Sequence, residues 1–225
     1  MSNYFYVAPE QLIKDRAEFA QKGIARGRSI VAAIYDVGVV MVAENPSASL
    51  NKISEIYDRI AFAGVGKYNE FDRLREAGIR WADGTGYTYS REDVDARALA
   101  NFYAQHLGDM FTEGQKPLEV EVLVAQLGNK FRSTKLYRIA YEGTISDETD
   151  FAVLGGDAET IKERFASLEV GRLSLAQTLK NAVSALAGPD RQLPVEDLEV
   201  GVLEDHGERR TFSRLGDEQI ARLLT

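Results

Sequence analysis

The chain has 225 residues, of which 44% are hydrophobic and 28% charged, a composition typical of one globular domain with a substantial core. Its 27 basic and 35 acidic residues give a net charge of −8 without a basic block, so we expect no nucleic-acid partner. It contains no cysteine, which excludes thiol chemistry, and no apolar run approaches the ~20 residues of a membrane-spanning helix, so we expect a cytoplasmic protein with no membrane partner.

The first predicted element is an amphipathic helix over residues 9–23, because Pro9 suits a helix start and Gly23 a helix end. Its apolar stripe is thin and consists of Leu12, Ile13, Phe19 and Ala20. Two β-branched runs, "SIVAAIY" and "VVMVAE", are separated by a short polar turn and predict a hairpin. "KISEIYDRIAFAGVG" predicts a further pair of strands.

Two pairs of helices separate the later groups of strands. The first pair is predicted over residues 68–83 and 90–111, and the second in "AETIKERFASL" and "LSLAQTLKNAVSALAG". Strands are expected in "LEVEVLVAQLG", "KLYRIAYEG" and "FAVLGG", and again in "LEVGVLED" and "RRTFSRL" before a short final helix. Because helices come in pairs rather than alternating with single strands, the order favours an α+β fold with two antiparallel sheets packed face to face and helices outside both.

Three long stretches of the chain carry a family resemblance. They are "APEQLIKDRAEFAQKGIARGRSIVAAIYDVGVVMVAENP", "NKISEIYDRIAFAGVGKYNEFDRLREAGIRWAD" and "FTEGQKPLEVEVLVAQLG". Together they resemble the α subunits of bacterial 20S proteasomes, of the actinobacterial kind. The resemblance implies the four-layer αββα sandwich of N-terminal-nucleophile hydrolases. It also implies a non-catalytic subunit that forms a homo-heptamer ring within an α7β7β7α7 particle, whose proteasome β subunit carries the threonine-type peptidase activity.

The resemblance raises the question whether Ser29 is a nucleophile. In catalytic β subunits the first strand begins at a threonine exposed by self-cleavage, and its hydroxyl needs an adjacent base to react near pH 7. Ser29 occupies the matching place, with Glu44 and Lys52 where the supporting acid and lysine would fall. A self-processing hydrolase is therefore the rival interpretation, and a stand-alone binding protein on the same sandwich, with no ring, is a third. Because Arg28 replaces the glycine usual at the cleavage point and a helix pattern precedes it, we expect a strand-leading serine and no catalytic residue.

Residues 1–8 are predicted to be a flexible segment, and residues 9–225 to form one domain. Taken alone, the segment has the character of an ordinary frayed terminus. In the family, however, it closes the central pore of the ring, and its aromatic bulk suits that role. The gate residues that the resemblance implies are Ser2, Asn3, Tyr4, Phe5, Tyr6, Val7 and Ala8.

Lys52 begins a predicted strand, where a lone lysine is most often a solvated edge charge. In the family, the lysine of this "KI" position faces a pocket between neighbouring subunits. It receives the C-terminal carboxylate of a tail from an ATPase ring or another ring-shaped activator, through a charge-assisted hydrogen bond. The resemblance also assigns Gly66 and Lys67 to the other wall of the pocket, and Pro9 to the turn that moves on docking. A glycine is equally expected at any strand-to-helix turn.

The remaining motifs predict no further site. "AFAGVGKY" lacks the glycine and the hydroxyl of a phosphate-binding loop, at Ala61 and Tyr68, and "GTGY" at residues 84–87 is predicted to be a turn. His106 and His206 have no ligand spacing to each other or to a cysteine. We therefore expect neither a cofactor nor a metal.

Overall fold

The structure is a computed structural model that describes residues 8–129, 133–168 and 173–225. In these ranges the helices are α1 (Pro9–Ala25), α2 (Tyr68–Thr88), α3 (Ala96–Thr112), α4 (Ala158–Ser167), α5 (Leu175–Ala187) and α6 (Asp217–Leu224). The strands are β1 (Ile30–Tyr35), β2 (Gly38–Glu44), β3 (Ile53–Tyr57), β4 (Ile60–Gly66), β5 (Val120–Gln126), β6 (Lys135–Ile139), β7 (Ile145–Glu148), β8 (Phe151–Leu154), β9 (Leu198–Glu204) and β10 (Phe212–Arg214). None of these helices combines the length and the apolar character needed to cross a bilayer.

The described strands form two five-stranded antiparallel sheets. The first sheet has the order β10-β9-β2-β1-β8, and the second has the order β3-β4-β5-β6-β7. The predicted hairpin is present: β1 and β2 pair up to Tyr35 opposite Gly38, with a two-residue turn between them. The strands β3 and β4 also pair as predicted, but they belong to the second sheet. The link from β2 to β3 therefore crosses from one sheet to the other.

The two sheets pack face to face, and helices cover both outer faces. In β1, Ile30 and Ala32 belong to the core between the sheets, whereas Val31 and Ala33 pack under α4 and α5. This alternation buries both faces of β1, which explains why its sequence is apolar throughout. The second sheet is covered in the same way by α2 and α3. The layers confirm the predicted αββα sandwich.

Helix α1 is fixed at two places along its length. Gly23 lets it approach the segment before β5, since a Cβ on Gly23 would lie 2.3 Å from Oε2 of Glu119. Further toward the N-terminus, the Arg16 guanidinium reaches the C-terminal end of α3. It donates to the backbone oxygens of Phe111 (2.6 Å), Gly114 (2.7 Å) and Met110 (3.0 Å). These acceptors lie where helix carbonyls lack partners within the helix, so Arg16 acts as a cap of α3.

The apolar stripe of α1 is mostly exposed. Of the four residues predicted for it, Ala20 is buried, while Leu12, Ile13 and Phe19 are 50%, 57% and 45% exposed. The helix thus presents bulky apolar side chains that the described part of the chain leaves about half exposed.

The boundaries of three helices, α1, α2 and α3, differ from the prediction. Helix α1 ends at Ala25 rather than at Gly23. Helix α2 continues through "GTGY" to Thr88, so the predicted turn at residues 84–87 is wrong. Gly86 instead allows close packing, because a Cβ there would lie 2.2 Å from the Tyr57 hydroxyl. Helix α3 begins at Ala96 rather than at Ser90, since the Asp95 carboxylate caps it by accepting from the Ala98 N–H at 3.4 Å.

Candidate functional site

Lys52 lies directly before β3, with its side chain directed across the gap to the first sheet. Its ammonium Nζ donates to the backbone oxygen of Arg28 at 2.8 Å and to that of Glu44 at 3.1 Å. These oxygens lie just before β1 and at the last residue of β2. The ammonium therefore sits where the first strand begins, as the resemblance implied.

Glu199 on β9 fixes the start of β3, and thereby the base of the Lys52 side chain. This buried carboxylate accepts from the backbone N–H of Lys52 at 2.8 Å and of Ile53 at 3.0 Å. It also accepts from Asn45 Nδ2 at 2.7 Å and from the guanidinium of Arg214. Sequence reasoning placed Glu199 in a strand but gave it no role, because its partners are far away along the chain.

The hydrogen-bond acceptors of the Lys52 ammonium are neutral backbone oxygens. Among the described residues, no carboxylate forms an ion pair with its half-buried ammonium. Burial lowers the pKa of Lys52 to about 8, although the carboxylates of Glu199 and Glu44 favour the charged form, and the nearby Arg28 guanidinium opposes it. An anion placed against Nζ would restore the charge balance.

Glu44 is occupied by two guanidiniums. Arg28 bonds to Oε1, and Arg191 binds both carboxylate oxygens, each at 3.2 Å. Arg191 follows α5 and also donates to the carbonyls of Leu186 (3.1 Å) and Ala187 (3.4 Å). It was not predicted, because the loop that carries it has no periodic pattern. Two guanidiniums thus engage both carboxylate oxygens of Glu44 and stabilise its charged form, which disfavours a role as a general base.

Ser29 lies next to these groups but is not bonded to them as a nucleophile would be. Its backbone oxygen accepts from the Glu44 N–H at 3.4 Å, whereas its hydroxyl packs on Gly155, where a Cβ would lie 2.7 Å from Oγ. In the described part of the chain, neither Lys52 nor Glu44 hydrogen-bonds to the Ser29 hydroxyl. The three residues of the hydrolase interpretation, Ser29, Glu44 and Lys52, are thus close together but do not form a nucleophile–base pair.

A polar cleft of about 760 Å³ opens beside Ser29. Its walls are the link from α1 to β1, the start of α4 and the loop after α5. Its charged lining residues are Arg26, Arg28, Glu44, Asp157, Arg164, Asp190 and Arg191.

Gly66 and Lys67 lie on the other side of the link between α1 and β1. Gly66 has φ +108°, and a Cβ there would lie 2.0 Å from the Glu119 carbonyl, so no other residue fits without distortion. The Lys67 N–H donates to the same carbonyl at 2.9 Å. Its Nζ lies 3.7 Å from Glu70 Oε1 and 3.9 Å from Glu119 Oε1, so the Lys67 charge, unlike that of Lys52, is already paired.

The predicted docking residues occupy separate places in one chain. Lys52 contacts Arg28, and Gly66 contacts the neighbouring Gly27, so the short α1–β1 link lies between them. Pro9 is the first residue of α1, and at 1.5 Å per residue it lies about 24 Å along the helix from Ala25. Within one chain, Pro9 is therefore remote from both Lys52 and Gly66. Ala8 precedes it with extended backbone, and the other gate residues, Ser2 to Val7, lie outside the described ranges.

The chain matches known proteins along its whole length. The family model described as "Proteasome subunit" matches residues 24–192. The chain is 59% identical to "Proteasome subunit alpha" of Acidimicrobium ferrooxidans, an alignment that covers 100% of this chain and 97% of that protein. Proteins of the same name from Sanguibacter keddieii and Thermobifida fusca are 52% and 50% identical, with 100% of this chain and 90% and 91% of theirs covered. The chain therefore belongs to the proteasome subunit family and is an α subunit of the actinobacterial type, as the sequence stretches predicted.

Proposed function

We propose that this α subunit is non-catalytic and docks the C-terminal tails of ring-shaped activators, such as an ATPase ring, at Lys52. The single observation that carries the proposal is the half-buried Lys52 ammonium, which bonds only backbone oxygens among the described residues. A terminal carboxylate would supply the missing counter-charge at a site where water competes weakly. Gly66, Lys67 and Pro9 form the remaining wall of the pocket.

The same proposal includes a heptameric ring that caps the rings of β subunits. The exposed Leu12, Ile13 and Phe19 support it, because apolar side chains on an otherwise polar helix are suited to contact with a neighbouring copy. Lateral contact along α1 would also bring Pro9 of one copy toward the Lys52 region of the next. Residues 1–8 then lie at the pore, where they gate substrate entry.

The rival function, self-processing hydrolysis at Ser29, has less support. Lys52 and Glu44 are both engaged with other partners, and Ser29 continues directly from the α1–β1 link. Without cleavage there is no free amine at residue 29 to serve as the base. The intact mass of the chain recovered from assembled particles tests this point. A chain that has lost its first 28 residues would favour the rival.

The test of docking is the stimulation of peptide hydrolysis by an activator ring added to assembled particles of α and β subunits. Lys52→Met should abolish most of the stimulation and leave assembly and unstimulated hydrolysis intact. Lys162→Met, which changes an exposed lysine on α4, is the matched control. Equal stimulation of the wild type and the Lys52→Met particle would refute the docking role. Deletion of residues 2–8 should raise hydrolysis without an activator, and no increase would refute the gate.

A further inference from the structure

The charges around Lys52 do not balance. Arg28 and Arg191 bind the single carboxylate of Glu44, and the Lys52 ammonium lies against the backbone oxygen of the same residue. The next carboxylate, that of Glu199, is bonded to Arg214. The other charged residues of the cleft balance one another; they are Arg26, Arg164, Asp157 and Asp190. Two positive charges are therefore in excess, and the cluster has the capacity to hold an anionic group.

The two arginines that bind Glu44 are held differently. Arg191 grips both carboxylate oxygens and is also tied to two carbonyls at the end of α5. Among the described residues, the Arg28 guanidinium bonds only Glu44, and half of its side chain, 50%, is exposed. A guanidinium has five N–H donors, so most of those of Arg28 are available to another acceptor. Arg28 can leave Glu44 while Arg191 keeps that carboxylate paired.

Arg28 and Lys52 also act on each other. The Lys52 ammonium is bonded to the backbone oxygen of Arg28, so it lies at the base of the Arg28 side chain. The positive charge of Arg28 is one of the causes that lower the pKa of Lys52. The two like charges repel each other, and an anion bound by both would replace that repulsion with attraction to a shared partner.

We propose that Arg28 is the second cation of the docking site and exchanges Glu44 for the terminal carboxylate of the activator tail. This inference rests on the docking role of Lys52 proposed above. Arg28 opens onto a cleft of about 760 Å³, within the usual range of ligand pockets, so the tail has room beside it. Bound by both cations, a free terminal carboxylate is selected over a tail that continues or ends in an amide.

The experiment uses assembled particles and a fluorescent C-terminal octapeptide of the source organism's own proteasomal ATPase, made with a free carboxylate and with a carboxamide. Binding is followed by fluorescence anisotropy at low and high ionic strength. Arg28→Ala should weaken binding of the free-acid peptide about five- to tenfold at low ionic strength and leave the carboxamide peptide unchanged. Arg28→Lys should recover part of the loss, since it restores the charge but not the fork of donors.

Glu44→Gln provides a test in the opposite direction. It releases Arg28, so it should strengthen binding of the free-acid peptide, and the gain should vanish in the double variant with Arg28→Ala. If Glu44→Gln fails to assemble, the Arg28 variants alone decide. Arg26→Ala is the matched control, because Arg26 lines the same cleft.

Three outcomes would overturn the inference. First, Arg28→Ala could leave binding of the free-acid peptide unchanged. Second, it could weaken binding of both peptides equally, which would indicate a purely structural role. Third, it could weaken binding no more than Arg26→Ala does, which would indicate a general effect of positive charge. The docking proposal itself is tested separately by Lys52→Met. If Lys52→Met weakens the free-acid peptide and Arg28→Ala does not, only the role of Arg28 is refuted. If neither does, both proposals are refuted.

Discussion

Replacing Glu199 by glutamine keeps the size and shape of a buried side chain. It replaces one carboxylate oxygen, a hydrogen-bond acceptor, with an NH₂ group, which is a donor. Oε1 accepts from the Ile53 N–H at 3.0 Å and from Arg214, and Oε2 accepts from the Lys52 N–H at 2.8 Å and from Asn45 Nδ2 at 2.7 Å. Whichever way a glutamine amide turns, its NH₂ group faces two donors. The substitution therefore leaves two donors unpaired at the start of β3.

The expected loss follows from these contacts. An unsatisfied buried donor costs about 1–3 kcal/mol, and breaking a fully buried ion pair costs about 3–5 kcal/mol. The Arg214 side chain is 35% exposed, so water recovers part of its loss. We expect Glu199→Gln to lower the free energy of unfolding by about 3 kcal/mol.

Urea titration of the purified chain, at the same protein concentration for every variant, measures this loss in the free energy of unfolding. The probe is the fluorescence of Trp81, the only tryptophan of the chain. The matched control is Glu55→Gln on β3, whose carboxylate pairs with the exposed Arg210. This change should cost far less than Glu199→Gln. If Glu199→Gln costs no more than the control, Glu199 does not hold the Lys52 segment in place and the reasoning fails.

Three further results are expected. Tail binding should be independent of pH below about 8 and should weaken above it, by up to about tenfold per pH unit, because the free Lys52, with Glu199, Glu44 and Arg28 around it, loses its proton there while the docked ammonium retains it. Binding isotherms from pH 6.5 to 9.5 would check this. A flat profile would show that the Lys52 ammonium does not bind the tail. Gly66→Ala should destabilise the chain by about 2–4 kcal/mol in the same urea assay, since the new Cβ would overlap the Glu119 carbonyl. Gly84→Ala, with open space at its Cβ, should be neutral or stabilising, and equal effects of the two changes would contradict the steric argument. Arg16→Met should speed amide hydrogen exchange in α1 and in the last turn of α3 by about tenfold or more, and unchanged exchange would show that the cap does not hold α1.

The sequence predicted the elements whose signals are local. The β1–β2 hairpin was predictable because two apolar runs flank a turn, and the pairing of helices predicted two sheets rather than a parallel one. The strand β7 was not predicted, since "ISDE" at a sheet edge has one apolar residue and no alternation to detect. The length of α2 was underestimated because glycines that serve close packing are indistinguishable in sequence from glycines that make turns.

The candidate site was predicted only in part. The family resemblance brought Ser29, Glu44 and Lys52 together, and the structure places them at the start of β1 as expected. Arg191 and Glu199 were missed, because each meets its partner 147 residues away and no periodic or motif signal links such positions. These two residues decide that Glu44 is occupied and that Lys52 is fixed, so the chemistry of the site depends on contacts that only the folded chain reveals.

The hydrogen bonds of the Lys52 ammonium have an evolutionary consequence. Both of its acceptors are main-chain oxygens, which every amino acid supplies in the same place. Mutation at position 28 or 44 can therefore alter the charge beside the lysine without displacing it. On the docking role proposed for Lys52, a lineage that acquires a new activator can adapt to its tail by single substitutions at these positions, while the lysine keeps its place.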